Sequence, residues 1–273
     1  VTFSVLARDP ATGDIGIAVS SCILAVGRAV PGARPGVGVV AVQARSRRGL
    51  GATLLDGLAA GGTPSALVRR AAHSAEDADR QIAVLDVTGR IAADTGPGSF
   101  PECGHLVGDG FSVQGNMLGS ADVLPAMSRT FAAVDGDLPD RLLAALSAGQ
   151  HAGGDLRGRQ SAAILVVSGQ PPTDEDDGVR MDLRVDDSGD PVAQLGMLRN
   201  LQRAYEERDY DRLALFAPEG ARDLYAALAA SSRGDREGVR RALEAMRERP
   251  GWSAWLRTMA GDTRLAAVSR LLG

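Results

Sequence analysis

Lysine is absent from this 273-residue chain, so each of its 30 basic positions is arginine. That excludes a Walker-type phosphate loop, which needs a lysine on the terminal phosphates. It also excludes a catalytic lysine of lowered pKa, because arginine stays protonated and cannot shuttle a proton. Cysteine is scarce: Cys22 and Cys103 cannot build a disulfide framework, and no CxxC spacing suggests zinc. His73, His105 and His151 lack the repeated spacing of metal ligands, so neither a metal nor a cofactor is expected. Aromatic residues make up 4% of the chain against 44% hydrophobic overall, which leaves Ala, Val, Leu and Ile to fill the core and argues against deep aromatic cages. No apolar run approaches the roughly 20 residues of a membrane span. The first twenty residues carry Arg8, Asp9 and Asp14 in place of a secretory apolar core. A reducing cytoplasm without membrane contact is the expected setting. The net charge of −4, with both signs interspersed, argues against the concentrated basic face that nucleic acid requires. Arg45, Arg47 and Arg48 read as a solvated loop.

What is present is a strand-rich pattern from Thr2 to about Val167, with short apolar runs separated by Gly, Pro and Asp turns. Residues 2–7, 15–20 and 36–43 read as consecutive strands, the first two joined by the reversal "DPATGD". Residues 50–60 and 64–74 have helical character, and 83–94 forms a hairpin turning at Thr88-Gly89. A strand near 111–113, helices at 120–134 and 138–149, and a buried strand at 162–167 complete the region. Helices grouped between early and late strands predict an α+β protein with segregated layers. After an acidic, proline-containing loop and an edge strand at "RMDLRVDD", the chain turns helical and amphipathic from Pro191. The expected division is a domain of residues 1–190 and a small all-α domain of 191–273.

"GVGVVA" (Gly36–Ala41) has the letters of a dinucleotide fingerprint but the wrong context, since the chain continues as strand where that motif must open a helix. The N-terminus is more informative. The lysine-free, glycine-rich composition is that of GC-rich coding, where GTG starts are common. Val1 then reads as an initiator position whose removal leaves Thr2 first. A threonine hydroxyl needs a base to take its proton as it attacks. A leading threonine carries one, because its own α-amine has a reference pKa of about 7.7–8.0. Strand alternation puts Thr2, Ser4 and Leu6 on one face and Phe3, Val5 and Ala7 on the other.

Polar clusters also interrupt apolar runs. "FSVQGNML" offers Gln114 and Asn116 as amide donors, and "GGDLRGRQSAA" places Asp155, Arg157, Gln160 and Ser161 before a buried strand. The same residues equally suit turn and strand-end hydrogen bonding. "SSC", with Ser20 and Ser21, has the same two readings.

The stretches "TFSVLARDPATGDIGIAVSS", "AVGRAVPGARPGVGVVAVQ", "FSVQGNML" and "GGDLRGRQSAAILVV", in this order, resemble the DUF1028 family, grouped with the N-terminal nucleophile (Ntn) hydrolases. The resemblance covers about residues 2–190. It implies a four-layer αββα sandwich followed by a small C-terminal all-α domain. It also implies a catalytic Thr2 placed directly after the initiator. Asn116 becomes the oxyanion donor, and Ser21, Gln43, Gln114, Asp155, Arg157, Gln160 and Ser161 become candidate substrate contacts. Family members often carry Lys, His or Arg where this chain has Cys22, and an Asn-Pro…Tyr-Gly stretch where it has "ARSRRGLG". These differences point to a different substrate preference. The tail beyond about Leu198 resembles a helical extension labelled a peptidoglycan-binding domain, in which Trp252 and Trp255 suit either sugar stacking or core packing.

The reading that emerges is an amidohydrolase cleaving a small amide-type C–N bond, possible as a homo-oligomer. The alternative is a catalytically silent protein of the same fold that binds a small ligand or a partner.

Overall fold

The computed structural model describes residues 2–45, 49–72, 78–99 and 102–259; Val1, Arg47, Arg48 and His73 lie outside them. The chain folds as two compact units, one running to Gly196 and one from Met197. A helix begins at Pro191 and continues to Glu206.

The first unit is mixed α/β with two antiparallel sheets. Its elements run β1 (Thr2–Arg8), β2 (Ile15–Ser21), α1 (Val26–Ala29), β3 (Pro31–Arg34), β4 (Gly38–Gln43), α2 (Leu50–Ala59), α3 (Pro64–Ala71), β5 (Gln81–Asp86) and β6 (Ile91–Thr95). There follow β7 (Gly104–Gly108), β8 (Phe111–Asn116), α4 (Val123–Ala133), α5 (Leu138–His151), β9 (Ser161–Val167) and β10 (Val179–Val185). Six strands form one sheet in the order β10-β9-β2-β1-β8-β7, and four form the other in the order β3-β4-β5-β6.

Side-chain alternation assigns the faces. Leu6, Ile15, Ile17 and Val19 of the larger sheet form one buried cluster with Val39, Ala41, Ala83 and Leu85 of the smaller. The sheets therefore face each other through aliphatic side chains, of which each Val, Leu or Ile is worth about 1.5–3 kcal/mol when fully buried. The opposite face of the smaller sheet, with Val40, Val42, Ile82 and Val84, packs on Leu54, Leu55 and Leu58 of α2 and Val68 of α3. On the larger sheet, α5 lies over β1 and β2, and α4 over β7 and β8. The sequence sets where these helices begin. The Thr63 hydroxyl accepts from the Ala66 N–H ahead of α3, and the Asp137 carboxylate accepts from the Asp140 N–H ahead of α5.

The second unit contains the C-terminal part of α6 (Pro191–Glu206), then α7 (Tyr210–Phe216), α8 (Glu219–Ser232), α9 (Arg236–Arg247) and α10 (Trp252–Met259). Ala227, Leu228, Ala242, Leu243, Met246 and Leu256 make its core, with Trp252 and Trp255 half-buried against it. The two indoles meet edge to face with centroids 5.1 Å apart. No helix among the described residues is long and apolar enough to cross a membrane.

The β5–β6 hairpin shows how a single carboxylate holds a turn. Gly89 takes φ +90°, a conformation that glycine reaches without Cβ strain. Asp86 Oδ1 accepts from the Thr88 N–H (2.9 Å), the Thr88 hydroxyl (2.7 Å) and the Arg90 N–H (3.0 Å), and Oδ2 accepts from Arg90 Nε at 2.6 Å. Burial pulls the Asp86 pKa upward, but the hydrogen bonds from Thr88 and Arg90 together outweigh it and hold the carboxyl below its ordinary value. Because the folded-state value is depressed, this contribution is complete above the unfolded carboxyl pKa and is lost as pH falls through the folded one. In urea denaturation at neutral pH, Asp86→Ala is expected to lose about 1–3 kcal/mol. Repeating the measurement toward acid should narrow the gap between variant and wild type; a gap that stays constant or widens would refute the account.

Candidate functional site

The layer between the sheets changes character along its length. Toward one end it is hydrocarbon; at the other, alternation on the same strands brings in polar side chains. Because the strands are antiparallel, the start of β1 lies beside the ends of β2 and β8, with Phe3 opposite Ser20 and Thr2 opposite Asn116. The end of β4 and start of β5 face them from the smaller sheet, with Gln43 opposite Gln81. Thr2, Ser4, Ser21, Gln43, Gln81, Gln114, Asn116 and Ser161 are all buried at this end.

Their polar atoms form a directed network. Ser112 donates to Gln114 Oε1 at 2.9 Å, Gln114 Nε2 to Ser4 Oγ at 2.6 Å, and the Ser4 hydroxyl to Gln43 Oε1 at 2.8 Å. Gln43 Nε2 in turn donates to Gln81 Oε1 at 2.6 Å and to the Thr2 carbonyl at 3.4 Å. Gln81 Oε1 accepts a second bond from Asn116 Nδ2 at 3.1 Å. Its own Nε2 donates to Thr95 Oγ1 (2.8 Å) and to the carbonyls of Gly104 (2.8 Å) and Gly115 (2.9 Å). Thr95 Oγ1 lies 2.9 Å from His105 Nδ1. The network crosses repeatedly between the two sheets, and buried amides that are fully partnered in this way fix one packing.

Thr2 sits at the end of this network. The Thr2 hydroxyl donates to Ser21 Oγ at 3.2 Å, and the Thr2 residue is 4% exposed, Ser21 0% and Asn116 2%. The hydroxyl thus lies among oxygens and amides, not in hydrocarbon. Immediately after Gln43 and Asn116 the chain bends through positive φ at Ala44 (63°) and Met117 (48°). Such conformations cost a non-glycine residue about 1–2 kcal/mol, and both bends fall where strands leave this polar end.

The loop after α5 closes the site from outside. Gly154 has φ +54°, a conformation that strains most residues carrying a Cβ. The turn places Asp155 opposite Leu118 in an isolated bridge just past β8. Asp155 Oδ2 accepts from the Cys22 N–H at 2.7 Å, and Oδ1 from the Arg157 N–H at 2.8 Å. The Arg157 guanidinium returns to the same carboxylate, Nη2 at 3.3 Å from Oδ2, while remaining partly exposed. Asp155 therefore ties the end of β2 to the end of β8, the two strands that flank Thr2.

The structure brings Thr2, Ser21, Gln43 and Asn116 into one cluster, with Gln114 one step deeper through Ser4. Asp155 and Arg157 sit at its rim. Gln160 contributes its N–H to the Ser21 carbonyl at 3.2 Å, but its side-chain amide turns to Asp187 Oδ1 at 3.1 Å. Ser161 is opposite Ser21 in the sheet; its hydroxyl donates to the Ile23 carbonyl at 2.5 Å and accepts from the Val26 N–H at 3.0 Å, holding the turn into α1. Cys103 is exposed, and burial together with the Glu102 charge raises its thiol pKa, the opposite of nucleophile activation. His151 lies at the end of α5 against the Ser147 carbonyl. Among the described residues no group of three or more His, Cys, Asp or Glu is placed to hold a metal ion. Sequence reasoning passed over Gln81 and Thr95 and weighed His105 only as a metal ligand, although a glutamine opening the apolar strand "QIAVLD" is a visible irregularity.

A crystal structure of a protein from Silicibacter pomeroyi, carrying the DUF1028 family model, is similar with 34% identity and a TM-score of 0.65, covering 74% of this chain and 88% of that one. Anbu, an ancestral beta-subunit from Yersinia bercovieri, is matched at 11% identity and a TM-score of 0.36, over 75% of this chain and 96% of that one. No curated protein matches the sequence. The family of unknown function DUF1028 matches over residues 2–195, and with that match and the Silicibacter relative the chain belongs to this family.

Proposed function

We propose that this protein is an N-terminal nucleophile amidohydrolase acting on a small amide, with Thr2 as the nucleophile, built on an αββα sandwich of residues 1–190 with a separate small helical domain beyond it. The observation that carries the reading is the setting of the Thr2 hydroxyl, 3.2 Å from Ser21 Oγ and beside Asn116, at the polar end of the inter-sheet layer. Removing the residue before Thr2 turns its main-chain nitrogen from an amide into an amine and so creates the base that threonine needs. The Thr2 oxygen then attacks the substrate carbonyl, and the α-amine takes the hydroxyl proton and passes it to the leaving nitrogen as the C–N bond breaks. Asn116 and neighbouring main-chain N–H groups hold the oxyanion. Water, deprotonated by the same amine, cleaves the resulting ester and restores the hydroxyl. Ser21 accepts from the nucleophile. The loop of Asp155 and Arg157 borders the substrate, Ser161 and the main chain of Gln160 hold the end of β2 behind it, and Gln43 and Gln114 support the site from below through Thr2 and Ser4.

Two measurements test this. The intact mass of the purified protein should be that of a chain starting at Thr2; a chain that keeps a residue ahead of Thr2 would favour the silent ligand-binding alternative. Incubation with an alkyl β-lactone should add one lactone mass to Thr2 as an ester: the hydroxyl oxygen bonds to the ring carbonyl, the ring C–O bond opens, and the released alkoxide takes the proton. Thr2→Ala should abolish this label. Because the chain has no lysine, cyanate at neutral pH reports on the α-amine alone among the amines, and carbamylation should suppress labelling as fully as Thr2→Ala. Undiminished labelling after either change would end the proposal.

A further inference from the structure

We propose that Gln81 is the positioning residue of the Thr2 centre, setting which way the Asn116 amide faces; this rests on the nucleophile reading above. The argument is one of hydrogen-bond polarity. An amide presents a donor end and an acceptor end, and its orientation is decided by its partners. The partners of Gln81 Nε2 include the main-chain carbonyls of Gly104 and Gly115, at 2.8 and 2.9 Å, which can only accept. Nitrogen must therefore occupy that end, and Oε1 must point the other way. There it receives Asn116 Nδ2 at 3.1 Å and Gln43 Nε2 at 2.6 Å, which occupy both lone pairs of the oxygen. Asn116 is thereby obliged to turn its nitrogen, not its oxygen, into the inter-sheet layer. An oxyanion needs the N–H end of that amide; the carbonyl end would repel it.

The same oxygen holds Gln43, whose nitrogen also reaches the Thr2 carbonyl at 3.4 Å. One buried amide, itself 0% exposed, thus controls the orienting contacts on both sides of Thr2. Gln81 touches neither the Thr2 hydroxyl nor any position a substrate would take. Its action is exerted through Asn116 and Gln43.

The test separates positioning from folding. Gln81→Met keeps the chain length and removes both ends of the amide. It should lower Tm and slow β-lactone labelling of the folded protein about 10- to 100-fold, less than the roughly 100- to 1000-fold of deleting an oxyanion donor outright, because Asn116 is misoriented and not removed. Gln81→Glu, held protonated by its burial, keeps a carbonyl that accepts from Asn116 and Gln43 but has a single O–H in place of two N–H donors toward Thr95, Gly104 and Gly115. It should lower Tm as well, yet label within about threefold of wild type, since the orienting acceptor remains. Ser112→Ala, at the far end of the network, should lower Tm and leave labelling unchanged. If labelling simply follows Tm across the three variants, Gln81 is structural and the proposal fails.

A measurement on the wild-type protein covers the case in which Gln81→Met does not fold. By NMR the Asn116 carboxamide protons should be protected from exchange with solvent, and one of them should give a cross-peak to the Gln81 side chain; rapid solvent exchange, or no such cross-peak, would refute the locking. Should wild type take no label, the nucleophile reading falls, and this spectrum alone decides the role of Gln81.

Discussion

The side-chain amide of Gln81 joins the two sheets at the end where hydrocarbon gives way to polar groups. Its oxygen takes two donors and its nitrogen serves one hydroxyl and two main-chain carbonyls. Elsewhere the sheets are held by aliphatic contact, which is strong but indifferent to small displacements. A network in which every buried polar group must keep its partner tolerates no such sliding, since an orphaned donor or acceptor costs about 1–3 kcal/mol. The apolar end thus supplies most of the cohesion, and the polar end supplies the register in which Thr2, Ser21 and Asn116 meet.

Asp155 extends the same logic outside the layer. A buried polar group costs free energy unless it is hydrogen-bonded, and Asp155 finds its donors in the main chain of Cys22 and Arg157 and in the Arg157 guanidinium. The arrangement braces the strands on either side of β1 without adding a titratable group to the inter-sheet network itself.

Much of this was legible in the residues. Alternation in "TFSVLA" correctly put Thr2, Ser4 and Leu6 on one face, and the strand–turn–strand pattern of β1–β2 and β5–β6 followed from their apolar runs and Gly, Pro and Asp punctuation. What escaped were β3, β7 and α1. "PGAR" and "GHLVG" are short and bounded by glycine or proline; they are strands because a neighbour offers them a ladder, which local sequence does not record. α1 is a single turn whose first N–H is held by Ser161, 135 residues away. Thr2 was visible as a candidate from its place at the start of the chain and more sharply through family resemblance, but the centrality of Gln81 not at all, because hydrogen-bond direction is a property of the assembled layer. Gln43 and Gln114 stood out as polar residues in apolar surroundings, but sequence alone leaves open whether such an amide faces a ligand or another amide.

The one-way sense of the network carries a consequence for how this sequence can vary. No half-reversed arrangement exists in which each member is still satisfied, so exchanging a single glutamine for an isosteric acid or a hydrocarbon strands its neighbours. Positions 4, 43, 81, 114 and 116 are therefore coupled: a single exchange lowers stability, and a second one that restores the lost partner recovers it.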